Sequence, residues 1–123
     1  EANVKFEGPG WNLDLGGFYQ SADILLVTSN YEGYSMVAAE AIQNSLPVVM
    51  TDVGIAGDII KDGENGVVVP VGDRDKLLEA ILKLIEDKNL REELRAGAQN
   101  AKLPYASFED YRERLINSWK TCA

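Results

Sequence analysis

Two short runs of consecutive aliphatic residues do most to decide how this chain folds. Ala22-Asp23-Ile24-Leu25-Leu26-Val27-Thr28-Ser29 and Val48-Val49-Met50-Thr51 do not alternate apolar with polar positions. A strand with one wet face alternates, whereas a continuous run suits a strand covered on both faces, the environment of a parallel sheet between helices. Positions 35–44 between the runs read as a helix, and Pro47 stands where a strand tolerates proline, at its first position. Strand, helix and strand in that order predict a parallel pair joined by a crossover.

The rest of the chain extends this pattern. Residues 4–7 alternate and end in Gly8-Pro9-Gly10, the signature of a short strand and turn. Residues 15–22 read as a short helix, and another is expected near 58–61. The turn Asp62-Gly63-Glu64-Asn65-Gly66 leads to a further strand, Val67-Val68-Val69. Asp73 is a suitable N-cap for a helix to about residue 87, with Leu77, Leu78, Ile81, Leu82 and Ile85 on its apolar stripe. Asn89 and Ser107 are expected to cap helices over 89–101 and 108–120, and Ser35 or Ser29 to cap near the helix at 35–44. The class is α/β: about four short parallel strands, helices on both faces and a helical C-terminal third.

Composition removes several kinds of chemistry. The 123 residues are enough for one domain or part of one, and no run approaches the roughly 20 apolar residues that span a bilayer. Glu1 rather than methionine begins the chain, so a segment trimmed from a longer protein is expected. Histidine is absent and Cys122 is the only cysteine, which excludes a Ser-His-Asp or Cys-His nucleophile, a His-ligated metal and an internal disulfide. A net charge of −8 argues against nucleic acid as a partner. Of the twelve lysines and arginines, only Lys5 falls within residues 1–60, against eight carboxylates there. A phosphate bound by that half must rely on backbone N–H groups or on a cation from elsewhere.

Two of those carboxylates stand out. Glu32 follows the first buried run, where ligands bind at the carboxyl ends of parallel strands, and Glu40 lies eight positions on, in an otherwise apolar helix. Gly33 allows close approach of the backbone to a ligand, and the amides of Ser35, Met36 and Val37 form an anion site at the helix N-terminus. Two carboxylates accepting hydrogen bonds from paired sugar hydroxyls could then straddle a diphosphate. The plain alternative puts Glu40 on a solvated helix face. Its neighbours one turn away, Met36, Val37, Gln43 and Asn44, include no cation to pair with it there.

The segment Thr28-Ser29-Asn30-Tyr31-Glu32-Gly33-Tyr34-Ser35, with Glu40-Ala41 and Pro47-Val48-Val49, resembles the Glu-(seven residues)-Glu motif of the retaining, GT-B-fold glycosyltransferases called group 1. Tyr19-Gln20-Ser21-Ala22-Asp23 is similar to the family's Y-x-x-A-D segment. The stretch from Asp52-Val53-Gly54 to Asp58-Ile59-Ile60 is similar to its G-G-x-P-E-x-I loop, and Asp62-Gly63-Glu64-Asn65-Gly66 with Pro70-Val71-Gly72-Asp73 to its D-G-x-N-G run. The resemblance implies a Rossmann-like donor-binding domain and transfer of a hexose, with retention, from a nucleotide-diphosphate sugar. It assigns Glu32 as the catalytic group at the donor sugar, the backbone from Gly33 and Tyr34 through Ser35, Met36 and Val37 to sugar and diphosphate, and Glu40 to the ribose. It implies no metal and a cytoplasmic location, with peripheral contact of the larger protein at the inner face of the membrane.

Departures from the family pattern are few. Ser35 and Ser45 stand where glycine is usual, Gly57 where proline is usual, and Asp58 replaces a glutamate. The resemblance covers the later part of the second of two Rossmann-like domains, so residues 1–123 are expected to be an incomplete nucleotide-sugar-binding domain, inactive without an N-terminal domain. Such a piece would expose a parallel sheet edge and associate with itself, or shift its first strand inward. A noncatalytic Rossmann-like binding or interaction module is the alternative. Asp62–Gly66 is better read as a plain turn than a calcium loop, Trp11 and Trp119 as packing residues, and the charges of 83–102 as a solvated helix face.

Overall fold

The computed structural model describes residues 3–5, 15–101 and 108–121. A parallel sheet of three strands, β1 (Leu25–Val27), β2 (Val48–Thr51) and β3 (Gly66–Val69), runs in the order β1-β2-β3. Helix α1 (Leu15–Ser21) precedes it, α2 (Met36–Gln43) joins β1 to β2, and α3 (Arg74–Glu86), α4 (Lys88–Asn100) and α5 (Phe108–Thr121) follow. Leu25 lies opposite Val48, which lies opposite Gly66, so β2 is the central strand. All four of its residues are buried, as its unbroken apolar run requires.

Alternate residues of the strands feed two cores. On one face Val27, Val48 and Met50 meet Ala38, Ala41 and Ile42 of α2. On the other, Val49 and Val69 meet Ala80 and Leu84 of α3 and Leu94 of α4. The first run is less covered than its composition suggests: Leu26 at the centre of β1 is 43% exposed. Among the described residues no strand pairs with the outer edge of β1, so its side chains are packed on one flank only. Of the expected strand at 4–7, Val4 and Lys5 are exposed and outside any strand, and residues 6 and 7 lie outside the described residues.

The ends of α2 show why two serines draw notice. Ser45 has φ 58°, in the left-handed region that favours glycine. Its N–H reaches Ile42 O at 2.9 Å while that of Leu46 reaches Ala41 O at 2.9 Å, a paired closure of the helix C-terminus that needs a left-handed residue at this point. Leu46 then drops into the core.

Three expectations change. Residues 57–59 form a turn and Ile60 bridges to Ala56, so 58–61 is not a helix; Gly57 is left-handed (φ 81°) and Asn65 ties the loop across itself. The Asn65 side chain accepts from Lys61 N at 2.8 Å and donates to Ile59 O at 2.9 Å, while Ile55, Ile59 and Ile60 point inward. Asp87, not Asn89, caps α4 by accepting from Leu90 N, because a single residue ends α3 and starts α4. Asp73 caps α3 as its position predicts. The apolar stripe of α3 is wider than its buried face: Ala80 and Leu84 are buried, whereas Leu78, Leu82 and Ile85 are exposed. In Asp62–Gly66 the Asp62 carboxylate accepts from Val68 N at 3.0 Å and so serves the turn. Leu115 and Ile116 of α5 are exposed; Ser107, Trp11 and the Trp119 side chain lie outside the described residues.

Candidate functional site

The segment from β1 to α2 carries both carboxylates, Glu32 beyond the carboxyl end of β1 and Glu40 in the second turn of α2, and each is held by a hydroxyl. Glu32 lies in the loop after β1, half-buried, where Ser29 Oγ donates to its Oε1 at 2.7 Å. Ser29 is fixed in turn, since Thr51 Oγ1 at the end of β2 donates to its carbonyl oxygen. Glu40 is half-buried on α2 and accepts a hydrogen bond from Tyr19 of α1, hydroxyl to Oε2 at 2.7 Å. The fully solvated alternative for Glu40 is thus not the observed one. Burial, together with the hydrogen bond to Glu40 and its negative charge, pushes the Tyr19 phenol up to about 12, so it stays protonated and donates at neutral pH.

Between the two carboxylates the chain turns into α2. The first helical acceptor is Ser35 O, reached by Ala39 N at 3.3 Å, so the amides of Met36, Val37 and Ala38 precede any intrahelical bond. Met36, Val37, Tyr34 and Gly33 are exposed. An N-terminus of this kind attracts anions through its aligned peptide dipoles and open N–H groups.

Ser35 does not cap the helix. Its backbone is left-handed (φ 70°, ψ 74°), its side chain makes no capping bond, and its hydroxyl is buried without a hydrogen-bond partner among the described residues. The turn that positions these amides therefore demands glycine-like geometry at Ser35 rather than at Gly33, where an added Cβ would meet nothing within 4 Å. Ser35→Gly is expected to stabilise the protein by about 1–2 kcal/mol, by relieving the left-handed strain and removing an unsatisfied hydroxyl. Thermal unfolding would show this as a rise of roughly 5–10 °C. An unchanged or lower midpoint would mean that the hydroxyl has a partner.

Three contributors were not singled out from the sequence as parts of this site. Tyr19 sits in a motif noted only for its resemblance, yet the lack of a cation beside Glu40 on α2 was a signal that its partner lay elsewhere. Ser29 holds Glu32 rather than a helix end. Gly54 (φ 58°) brings the loop after β2 against the Glu32 loop so closely that a Cβ would lie 2.9 Å from Tyr34 O and 3.1 Å from Glu32 Cβ. A cleft of about 300 Å³ opens at the same sheet edge, lined by Thr28, Asn30, Thr51 and, around the start of α3, Gly72, Asp73, Arg74 and Leu77. Arg74 is exposed and brings a cation to that edge; neither Glu32 nor Glu40 lines the cleft.

Residues 1–101 match the model of the glycosyl transferases group 1. The chain belongs to this family. It is 38% identical over 81 residues to an uncharacterized glycosyltransferase of Methanocaldococcus jannaschii, covering 66% of this chain and 23% of that protein. It is 35% identical over 95 residues to a D-inositol 3-phosphate glycosyltransferase of Thermomonospora curvata, covering 77% of this chain and 22% of that protein. The chain thus spans less than a quarter of the length of these relatives. The crystal structure of the C-terminal domain of LpcC, a group 1 glycosyl transferase from Francisella tularensis, superposes with a TM-score of 0.66 at 26% identity, covering 79% of this chain and 49% of that one. The parallel sheet and its helices are those of a GT-B glycosyltransferase domain. Among the described residues no helix is long and apolar enough to cross a membrane.

Proposed function

We propose that this chain is the donor-binding part of a retaining glycosyltransferase that takes a hexose from a nucleotide-diphosphate sugar, completed by an N-terminal domain of the same protein. The observation that carries the reading is the pair of carboxylates, Glu32 and Glu40, each oriented by a neutral hydroxyl and separated by the open amides of α2. In this reading the diphosphate lies over the backbone from Gly33 and Tyr34 through Ser35, Met36 and Val37. Glu40 accepts from the ribose hydroxyls, and Glu32 accepts from hydroxyls of the transferred sugar beside the reacting carbon. As the bond from sugar to phosphate breaks, charge builds on the leaving diphosphate, and fixed N–H donors aimed at that charge lower the barrier.

The test uses the full-length protein and a panel of sugar nucleotides, following transfer and the anomeric configuration of the product. Glu40→Ala is expected to weaken donor binding by about 1–3 kcal/mol, the range for lost hydrogen bonds to a charged acceptor. That is roughly a fivefold to 150-fold rise in the dissociation constant measured by calorimetry. Unchanged affinity would remove the ribose assignment, and an inverted anomer would remove retention.

A further inference from the structure

Resting on the reading of Glu40 as the ribose contact, we propose that Tyr19 is a positioning residue, which holds one oxygen of Glu40 so that the other serves as a preset acceptor for a nucleotide's ribose hydroxyls. The Tyr19 hydroxyl donates to Oε2 at 2.7 Å, and among the described residues no other group donates to that carboxylate. The Oε1 atom thus keeps its capacity to accept.

The two residues are 21 positions apart and on different helices, so local helix geometry does not dictate their contact. Tyr19 is itself anchored, its ring packing against the core that includes Val27, Ala38 and Met50. A glutamate side chain carries conformational entropy, which a ligand must otherwise freeze out on binding. A core-packed tyrosine freezes it during folding.

The chemical type of the partner matters as well. A lysine or arginine at this place would also orient Glu40, but would offset its charge and weaken it as an acceptor. A phenol that stays neutral orients the carboxylate and leaves the negative charge available, and hydrogen bonds to a charged acceptor are the strong ones. The competing account is that the contact merely pins α1 to α2.

Tyr19→Phe separates the two accounts, because it keeps the ring in the core and removes only the hydroxyl. In the full-length protein, the affinities of UDP, GDP and ADP would be compared with those of their 2′-deoxy counterparts, for wild type, Tyr19→Phe and Glu40→Ala. The expected result is a ribose preference in the wild type that disappears in Glu40→Ala and falls about tenfold in Tyr19→Phe, with deoxy-nucleotide affinity unmoved. Equal weakening of ribo- and deoxynucleotides in Tyr19→Phe would assign the contact to pinning and overturn the proposal. A preference lost in Glu40→Ala but intact in Tyr19→Phe would sink the Tyr19 role alone. No ribose preference in the wild type would sink the assignment of Glu40, and the Tyr19 role with it.

Discussion

Turnover of the full-length protein is expected to fall about a hundredfold when Glu32 is replaced by alanine, with donor affinity changed by less than about threefold; losing one fixed polar group beside a reacting centre costs on that order. The expected split follows from where Glu32 sits. It lies beyond the end of β1, tethered through Ser29 to Thr51 on β2 and backed by Gly54, so its side chain springs from a loop braced on two strands. A group held that firmly has little freedom to follow the substrate. It contributes most where charge and hydroxyl positions change between bound donor and transition state, which registers in kcat rather than in binding. Glu40, on α2 and assigned to the ribose in the proposed reading, should show the reverse split. Glu32→Gln keeps the shape and the bond from Ser29 while removing the charge, so comparable losses in both variants would identify charge as the contribution. Normal turnover in Glu32→Ala, measured under saturating donor, would remove Glu32 from the chemistry.

How much of this was legible in the sequence differs by element. β2 was fully legible, because a run of aliphatic residues after a proline has few other places to go, and the structure buries every residue of it. β1 carried the same signal but lies at an edge, and an edge is a property of topology that a single run does not encode. The two glycine-like turns were visible only as anomalies: Ser35 and Ser45 stood where the family pattern has glycine, and both turn out to be left-handed. Residues 58–61 were misread as a helix because their closure comes from the Asn65 side chain and from Gly57, neither of which has a helical or strand period. Glu32 and Glu40 stand out in the sequence by their spacing, but their hydrogen-bond partners do not. Tyr19 and Glu40 meet across 21 positions of sequence, and the lack of a cation beside Glu40 signals a partner elsewhere without saying which residue it is.

The largest stability effect is expected at a position with no functional signal. Gly97 lies in the last turn of α4, inside the helix, where glycine would ordinarily cost up to about 1 kcal/mol relative to alanine, so propensity alone predicts that Gly97→Ala stabilises. Packing reverses the sign. A Cβ at Gly97 would collide with the backbone of the 62–66 turn, meeting the Glu64 carbonyl oxygen and lying 2.8 Å from its carbon and 3.4 Å from Asn65 Cα. Nothing flexible can swing aside there. Asn65 is 4% exposed and bonded to Lys61 and Ile59, and Gly63 N donates to Gly66 O at 2.9 Å. Moving the turn would shift Gly66, the first residue of β3, whose own Cβ position is blocked by Ile60 at 2.8 Å. Moving α4 instead would lift Leu94 and Ala98 out of the two cores and disturb α2, against which α4 packs. Either adjustment costs more than the helix gains, and a net loss of about 2–4 kcal/mol is expected, near the upper end for overpacking a tight contact. Thermal unfolding of the protein should register it as a midpoint lowered by roughly 10–20 °C. A variant as stable as the parent would mean that α4 and the turn can separate freely, and that the close approach does not fix the register of β3.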